Sequence, residues 1–573
     1  MKRKIYSLAV ALGVIVASCG SPEKMKDAAD QIKATCTPTV LEAKAGVIKA
    51  SINVSFPEKY FHPSAVLEML PVVKYAGGEA LGEVKMLQGE KVKDNNTVIA
   101  AAGGSYTQEV TFSYTDAMKV ATLEIRATLI DKKGNRLQFP ADIKVADGVI
   151  ATYKLAEVEV KPVYFDDSYQ KSTTETKEAQ VLFPINNSSV RPAELSKADV
   201  KLLQQFIADA LPKEPAKPAR GKKVVVDTTP STKTLKGLEI SSYASPDGEM
   251  DLNEKLSNNR GNSTDAALAK FFKQSKVKMD KNLVNIKHTA EDWEGFQQLM
   301  ANSEIQDKEL VLRVLSMYSD PAVREREIKN ISAVYTVIAY KVLPQLRRSK
   351  LSATVEVANL NDEQIKAFVS ANNLDTLDVE QLMYAAVKLY TEDAAMQETL
   401  YKKVTEKFND VRGFNNLGAL YLSQDKLDEA KTALDAALAI KEDAKIKNNL
   451  GYVLLKQGKN DEAEKQLAAA GLDESKAGMA YIALGKGEYS QAVTLLSGSG
   501  SFNEALALLL SERADDAKAV LEKLDTPKAY YLKAVIGARK NAEAEVTENL
   551  DKAGDLKANA KQDAEFVAFW PKL

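Results

Sequence analysis

The pattern of apolar and polar positions divides the chain into three parts, and the first of them, residues 37–160, has the pattern of strands. The segments GVIKASINVSF and ATLEIRATLID carry β-branched residues in near-alternation, which predicts strands. The segment DKKGNRLQF predicts a hairpin whose turn spans residues 131–136. Short strands at this spacing favour a β-sandwich of immunoglobulin-like kind, and we expect it to be a spacer or a docking surface.

Strand and helix patterns alternate in the middle part, residues 161–355. The segment AQVLFPINNSSVRPAELSKADVKLLQQFIADAL predicts strand, loop and helix, and LKGLEISSYA predicts the next strand. LSNNRGNSTDAALAKFFKQ predicts a helix, and LPQLRRSKLSATVEV predicts a last strand. Residues 212–237 include a stretch rich in Pro and Lys, which predicts a surface insertion. The alternation favours an α/β domain.

The third part, residues 361–573, has a helical pattern that repeats itself. FNNLGALYLSQDKLDEAKTALDAAL and KNNLGYVLLKQGKNDEAEKQLAAAG match at an offset of about 33 residues, which is typical of tetratricopeptide repeats. A generic helical bundle is the alternative. The residues expected to pack the repeats are Leu417, Gly418, Tyr421, Ala430, Leu450, Gly451 and Ala463. A short solenoid of this kind would offer a concave groove to a protein partner.

The N-terminus has the features of an export signal over residues 1–18. Three basic residues precede an apolar stretch that is too short for a membrane span. The following Val-Ala-Ser-Cys, ending at Cys19, resembles the lipobox of bacterial lipoproteins. The resemblance implies a lipid on Cys19 and a place in the outer membrane, facing either the periplasm or the outside. A plain secretory signal is the alternative. Residues 19–36 are predicted to be a polar tether or a short helix.

Composition argues against several classes of function. The chain has 77 Lys and Arg against 79 Asp and Glu, so it offers no overall attraction for nucleic acid. The histidines are His62 and His288, and the cysteines are Cys19 and Cys36. Such scarcity argues against a metal site and against most nucleophile–base pairs. We therefore predict no catalytic residue, no metal and no cofactor, and we expect that the protein is not an enzyme.

One motif in the middle part suggests a ligand. NEKLSNNR matches the Asn-x-x-Leu-Ser-x-x-Arg run of the OmpA-like family through Asn253, Leu256, Ser257 and Arg260. In that family, an Asp and this Arg hold the diaminopimelate of peptidoglycan. A guanidinium and an anion at fixed spacing suit a ligand that carries both carboxylate and amino groups. In this chain Ser245 stands at the position of the family's Asp.

Two readings of this motif remain open. In one, Arg260 binds a stem peptide together with Asp247 or Asp251, with Asn253 and Ser245 beside them. In the other, the fold persists and the pocket serves structure or another partner, and Asp247 caps a turn. The sequence as a whole predicts a multidomain α+β protein with a β-sandwich, an OmpA-like domain and a repeat solenoid. A non-enzymatic scaffold of an envelope assembly or secretion machine is the leading hypothesis, and a peptidoglycan-binding anchor is the alternative.

Overall fold

The structure is a computed structural model that describes residues 21–212 and 232–573. The chain forms two compact units: Met1–Asp166 with Tyr390–Leu573, and Asp167–Leu389. The second unit is thus inserted in the chain between the two segments of the first. This grouping differs from the consecutive domains that the sequence predicts, because the strands share one apolar core with residues 480–569 of the repeat region. Within the described residues, no helix combines the length and apolar character needed to cross a bilayer.

The first segment consists mostly of strands. Its elements are α1 (Lys24–Asp27), β1 (Lys33–Thr37), β2 (Val40–Lys44), β3 (Val47–Phe56), β4 (Val66–Tyr75), β5 (Gly78–Leu81), β6 (Lys85–Gly89), β7 (Thr97–Ile99), β8 (Gly104–Ser113), β9 (Ala121–Ile130), β10 (Arg136–Gln138) and β11 (Ile143–Ile150). The two strands predicted from alternation are β3 and β9, and the predicted hairpin joins β9 to β10. Its turn needs Gly134, whose φ of 81° lies in the left-handed region.

These strands form one connected sheet, which we call the half-barrel. The order is β1-β3-β2-β11-β9-β4-β6-β7, with β8 paired to β3, β5 to β4 and β10 to β9. β2 pairs with β3 on one side and with β11 on the other, so it joins what would be two sheets in a sandwich. The immunoglobulin-like sandwich is therefore replaced by a curved, continuous sheet with a single apolar interior.

The predicted tether is part of the half-barrel over its described residues. β1 pairs with β3, and the side chains of Met25 and Cys36 are buried in the core. The hydroxyl of Tyr60 donates a hydrogen bond to the carbonyl of Met25 at 2.7 Å. The prediction of a polar tether is corrected here because alternate residues of this short segment face the apolar interior; the short helix forms as α1.

The second unit is a four-stranded sheet with helices. Its elements are β12 (Ser172–Leu182), α2 (Pro192–Leu195), α3 (Ala198–Asp209), β13 (Lys233–Tyr243), α4 (Met250–Gln274), β14 (Val284–Thr289), α5 (Trp293–Ala301), α6 (Lys308–Met317), α7 (Pro321–Asn330), α8 (Ser332–Lys341), α9 (Leu343–Leu346), β15 (Arg348–Ala358), α10 (Asp362–Ser370) and α11 (Val379–Tyr384). The sheet order is β12-β15-β13-β14, and only β13 and β14 run parallel among these pairs. Most of the predicted insertion lies outside the described residues, and its last residues belong to β13.

The solenoid returns the chain to the first unit. Its helices are α12 (Ala394–Phe408), α13 (Val411–Ser423), α14 (Leu427–Ile440), α15 (Ala444–Lys456), α16 (Asn460–Ala470), α17 (Ser475–Gly485), α18 (Tyr489–Leu496), α19 (Phe502–Leu510), α20 (Ala514–Leu521), α21 (Pro527–Arg539) and α22 (Glu543–Lys552). The seven residues predicted to pack the repeats are all buried. A Cβ on Gly418 would lie 2.6 Å from Leu434 Cγ, and one on Gly451 would lie 2.6 Å from Leu467 Cγ. Glycine therefore permits the close helix contact within each repeat.

A buried polar cluster joins the half-barrel to the C-terminal end of the solenoid. Arg539 pairs with Glu565, and Thr152 of the half-barrel donates a hydrogen bond to Glu565 at 2.6 Å. A Cβ on Gly148 would lie 2.8 Å from the Ala564 side chain. The Lys44 ammonium lies 5.1 Å from the ring centre of Tyr489. The helices of the solenoid from α17 onwards thus share the apolar core of the half-barrel.

Candidate functional site

The helices α13, α15 and α19 of the solenoid hold a segment of the same chain. Residues 157–166, with the sequence EVEVKPVYFD, follow the half-barrel and lie along α13, α15 and α19. We call this segment the strap. It forms neither helix nor strand, and most of its residues are half-buried. We call the face of α13, α15 and α19 that binds the strap the groove, and the chain itself occupies it where the sequence predicts a partner.

Two asparagines hold the strap through its backbone at neighbouring repeats. Oδ1 of Asn416 accepts a hydrogen bond from the amide of Phe165 at 2.7 Å, and its Nδ2 donates to the carbonyl of Phe165 at 2.8 Å. Asn449 makes the same pair of bonds with Val163, at 2.8 and 2.7 Å. Each amide side chain thus satisfies both polar groups of one strap residue.

A third asparagine repeats this geometry at the other end of the strap. Oδ1 of Asn503 accepts from the amide of Glu157 at 3.0 Å, and its Nδ2 donates to the carbonyl of Glu157 at 2.7 Å. Asn415 and Asn448 donate to the carbonyls of Val163 and Lys161 at 3.0 and 2.9 Å. The asparagine ladder, as we call it, comprises Asn415, Asn416, Asn448, Asn449 and Asn503, all with fully buried side chains.

The ladder is itself held in place by the repeats. Nδ2 of Asn449 donates to Oδ1 of Asn415 at 3.0 Å, which links one repeat to the next. Ser475 of α17 donates to Oδ1 of Asn448 at 2.8 Å. A buried amide with all partners in place is rigid, and its contacts with a main chain do not depend on that chain's side chains. The ladder is therefore built to bind an extended backbone.

Strap side chains add contacts at both ends. Lys445 donates to the carbonyl of Tyr164 at 3.0 Å, and its ammonium lies 4.9 Å from the ring centre of Phe165. At the other end, Glu157 forms an ion pair with Lys528. Burial raises the pKa of the Tyr164 hydroxyl, which lies 3.4 Å from Oγ of Ser423. Sequence reasoning missed these residues, although the doubled Asn-Asn before each Leu-Gly was a visible signal.

In the second unit, the motif residue Arg260 is buried and bound to backbone carbonyls. Its side chain is 1% exposed and donates to three carbonyls: Tyr243 at 2.9 Å, Asn187 at 3.1 Å and Pro184 at 3.3 Å. Burial, with a contribution from Arg347, lowers the pKa of Arg260 to about 10, and Asp247 opposes that shift. Arg260 thus fixes the loop after β12 to the end of β13.

A second hydrogen-bonded group consists of Ser245, Asp247 and Asn253, together with Arg347. Asp247 accepts hydrogen bonds from the hydroxyl of Ser245 and from Nη2 of Arg347, the latter at 3.2 Å. Nε of Arg347 donates to Oγ of Ser245 at 3.1 Å. Nδ2 of Asn253 donates to the carbonyls of Ser245 and Gly248 at 3.3 and 3.2 Å, and so closes the turn.

Arg347 was not singled out from the sequence, because it lies far along the chain from the motif. It is the last residue before β15, and β15 runs beside β13, so strand pairing brings it to Ser245. Asp251, the other proposed anion, is exposed in the first turn of α4. A Cβ on Gly261 would lie 2.7 Å from Ile286, so glycine there lets α4 pack against β14.

The other residues that the sequence analysis named for their chemistry are Cys19, His62 and His288. Cys19 lies outside the described residues. His62 accepts from the amide of Ser64 at 3.2 Å, and burial lowers its pKa. His288 is exposed on β14. In the part of the chain that the structure describes, there is no group of three or more His, Cys, Asp or Glu that could hold a metal ion.

Comparison with known proteins identifies one repeat by sequence. Residues 414–444 match the model of the tetratricopeptide repeat family. A solved structure described as YrrB, a TPR protein with an unusual peptide-binding site, shares 20% identity, covering 36% of this chain and 100% of that chain with a TM-score of 0.22. No curated protein matches this sequence. The prediction of C-terminal tetratricopeptide repeats is confirmed for residues 414–444, within a helical repeat region whose fold is typical of non-enzymatic protein-interaction proteins.

Proposed function

We propose that this protein is a non-enzymatic scaffold of the bacterial cell envelope, an interaction subunit of an assembly or secretion machine. The observation that carries the proposal is the asparagine ladder, which binds an extended chain by its backbone. A helical repeat array with such a groove supports protein binding. The lipobox-like sequence before Cys19 supports an outer-membrane lipoprotein.

Site-specific photocrosslinking in the native bacterium tests the scaffold proposal. A crosslinker replaces Glu429 or Lys465, which are exposed on the solenoid, and Lys49 on the half-barrel serves as the control. We expect the same envelope protein to be captured from both solenoid positions and not from Lys49. The proposal fails if no protein is captured at either solenoid position. Truncation near residue 360 is a poor substitute, since it would expose the core that the half-barrel shares with the solenoid.

Cell fractionation tests the lipid anchor separately. We expect the wild-type chain in the outer-membrane fraction and Cys19→Ala in the soluble envelope fraction, because an acyl anchor supplies the membrane affinity. Cys36→Ala is the matched control, since it removes the other cysteine and leaves the lipobox-like sequence intact. A membrane-bound Cys19→Ala chain would contradict the anchor.

Peptidoglycan binding by the second unit is the second candidate. The observation that favours it is the pair of Asp247 and Arg347, an anion beside a guanidinium, which suits both groups of diaminopimelate. Their side chains are 14% and 10% exposed, whereas Arg260 is engaged with carbonyls. We therefore assign direct contact to Asp247 and Arg347, and a positioning role to Arg260.

A pull-down on purified peptidoglycan tests the second candidate. We expect retention of the wild-type chain and loss of Asp247→Asn and Arg347→Gln, while Asp251→Asn binds like the wild type. A wild-type chain that is not retained ends the anchor proposal. Retention of all variants would mean that peptidoglycan binds the chain at a site other than Asp247 and Arg347.

A further inference from the structure

The groove of the solenoid contains a ligand-like segment, and the segment belongs to the chain. We propose that the strap is an autoinhibitory occupant, and that a protein partner binds the asparagine ladder with an extended segment that displaces it. This proposal rests on the proposed protein-interaction function. The partner that fits is an extended peptide with a carboxylate at one end and an aromatic residue at the other.

The strap is held at its backbone by side chains of the repeats. Residues 157–166 have no strand pairing, and their main-chain contacts with the ladder come from side chains of the repeats. The amides of Glu157, Val163 and Phe165 are each bound by one asparagine. Any extended peptide presents the same N–H and C=O groups, so another chain can make equivalent bonds.

Each end of the strap contacts a lysine of the solenoid. Lys528 at one end pairs with the carboxylate of Glu157, and Lys445 at the other lies under the ring of Phe165. In a partner that displaces the strap, an aromatic side chain would restore the cation–ring contact with Lys445. A carboxylate would restore the ion pair with Lys528. The partner segment therefore carries Asp or Glu about eight positions before Phe, Tyr or Trp, which is the separation in the strap.

The strap competes with any other peptide for the asparagine ladder. An intramolecular segment binds at a high effective concentration, so it blocks the groove against weak ligands and yields to strong ones. A change that weakens the strap without altering the ladder should open the groove. Val163→Pro is such a change, because proline has no N–H to donate to Asn449. Val160→Pro is the matched control, since it places proline in the same strap away from the three bidentate contacts.

A binding experiment on the purified full chain tests the proposal. The probe is a fluorescein-labelled peptide with the sequence of residues 156–166, followed by fluorescence polarisation. We expect Val163→Pro to bind the probe at least about tenfold more tightly than the wild type or Val160→Pro. Adding Asn449→Ala to Val163→Pro should abolish that gain. Probe binding to the wild type that is as tight as to Val163→Pro would overturn the autoinhibition.

Probe chemistry tests backbone recognition. N-methylation at the position of Val163 should weaken binding at least about tenfold, because Oδ1 of Asn449 loses its donor at 2.8 Å and keeps only Nδ2 of Asn448 at 3.3 Å. N-methylation at the position of Val160 should have little effect. A probe that fails to bind a folded Val163→Pro chain would show that the strap is a fixed part of the solenoid and would overturn the proposal.

Hydrogen exchange keeps the proposal testable if Val163→Pro does not fold. In the wild type, the amides of Val163 and Phe165 should exchange through local opening, faster than the slowest amides of α13 and α15. Exchange only with global unfolding would overturn the proposal. These measurements use no envelope partner, so they test the autoinhibition separately from the scaffold function. If Glu429 crosslinks to a partner but the probe does not displace the strap, the autoinhibition proposal fails and the scaffold proposal stands.

Discussion

Asn416 and Phe165 exchange two hydrogen bonds across 251 positions of sequence, at 2.7 and 2.8 Å. The pair joins the first helix of a repeat to the segment that leaves the half-barrel. Asn449 and Val163 form the same pair one repeat further. The asparagines therefore both bind the strap and stabilise the fold. Their removal should lower the free energy of unfolding.

Asn449→Ala should lower the free energy of unfolding by about 2–4 kcal/mol, because the amide of Val163 and Oδ1 of Asn415 lose a buried partner and the carbonyl of Val163 keeps only Asn415. Urea denaturation of the full chain measures it. Asn460→Ala, at an exposed position of α16, is the control and should change stability by less than about 0.5 kcal/mol. Equal stability of wild type and Asn449→Ala would mean that the ladder bonds are replaced by water.

Gly418→Ala should destabilise the chain by about 1–3 kcal/mol, because the new Cβ meets the buried side chain of Leu434. Gly485→Ala is the matched control, since a Cβ at that helical position has nothing within 4 Å. It should be neutral or stabilising by up to about 1 kcal/mol. Thermal unfolding separates the two, and a stable Gly418→Ala chain would refute the close helix contact.

Glu565→Ala should cost about 3–5 kcal/mol, because it removes the buried carboxylate that pairs with Arg539 and accepts from Thr152 at the junction of half-barrel and solenoid. The double variant Glu565→Leu with Arg539→Met should recover most of that loss, since apolar side chains of similar size can replace a buried pair. A double-mutant cycle in urea measures the coupling. Additive losses would show that the pair does not stabilise the junction.

Arg260→Lys should destabilise the second unit, because one ammonium cannot reach all three carbonyls that the guanidinium binds. We expect a loss of about 2–4 kcal/mol from buried carbonyls without donors. Arg313→Lys, on the exposed side of α6, is the control. If Arg260→Lys unfolds like the wild type yet loses peptidoglycan, the residue contacts ligand directly and our positioning role is wrong.

Cys36 should be unreactive toward a thiol reagent at pH 8 in the folded chain and reactive in urea. Burial, together with the charge of Glu109, raises the pKa of its thiol to about 11. A thiol whose pKa is raised on folding stabilises the fold below its unfolded pKa near 8.5, and that contribution is lost as pH rises toward 11. Comparing Cys36→Ala with wild type between pH 8 and pH 11 isolates this loss; parallel pH profiles would contradict the burial.

The sequence by itself determined the local elements of this protein, because neighbouring residues are enough to form a strand, a helix or a turn. Alternation located β3 and β9, and the repeat of Leu-Gly located the helix contacts at Gly418 and Gly451. The motif around Arg260 gathered Ser245, Asp247 and Asn253 because all lie within one strand–turn–helix segment.

Only the tertiary structure decided which distant parts share a core. No local pattern predicts that β2 joins two sets of strands, that Arg347 binds Asp247, or that Thr152 donates a hydrogen bond to Glu565. The strap is the clearest case, because its backbone groups carry no pattern and find partners only when the repeats place asparagines beside them. Long-range pairing depends on the shape of the whole chain, and so the occupant of the groove was decided by the fold.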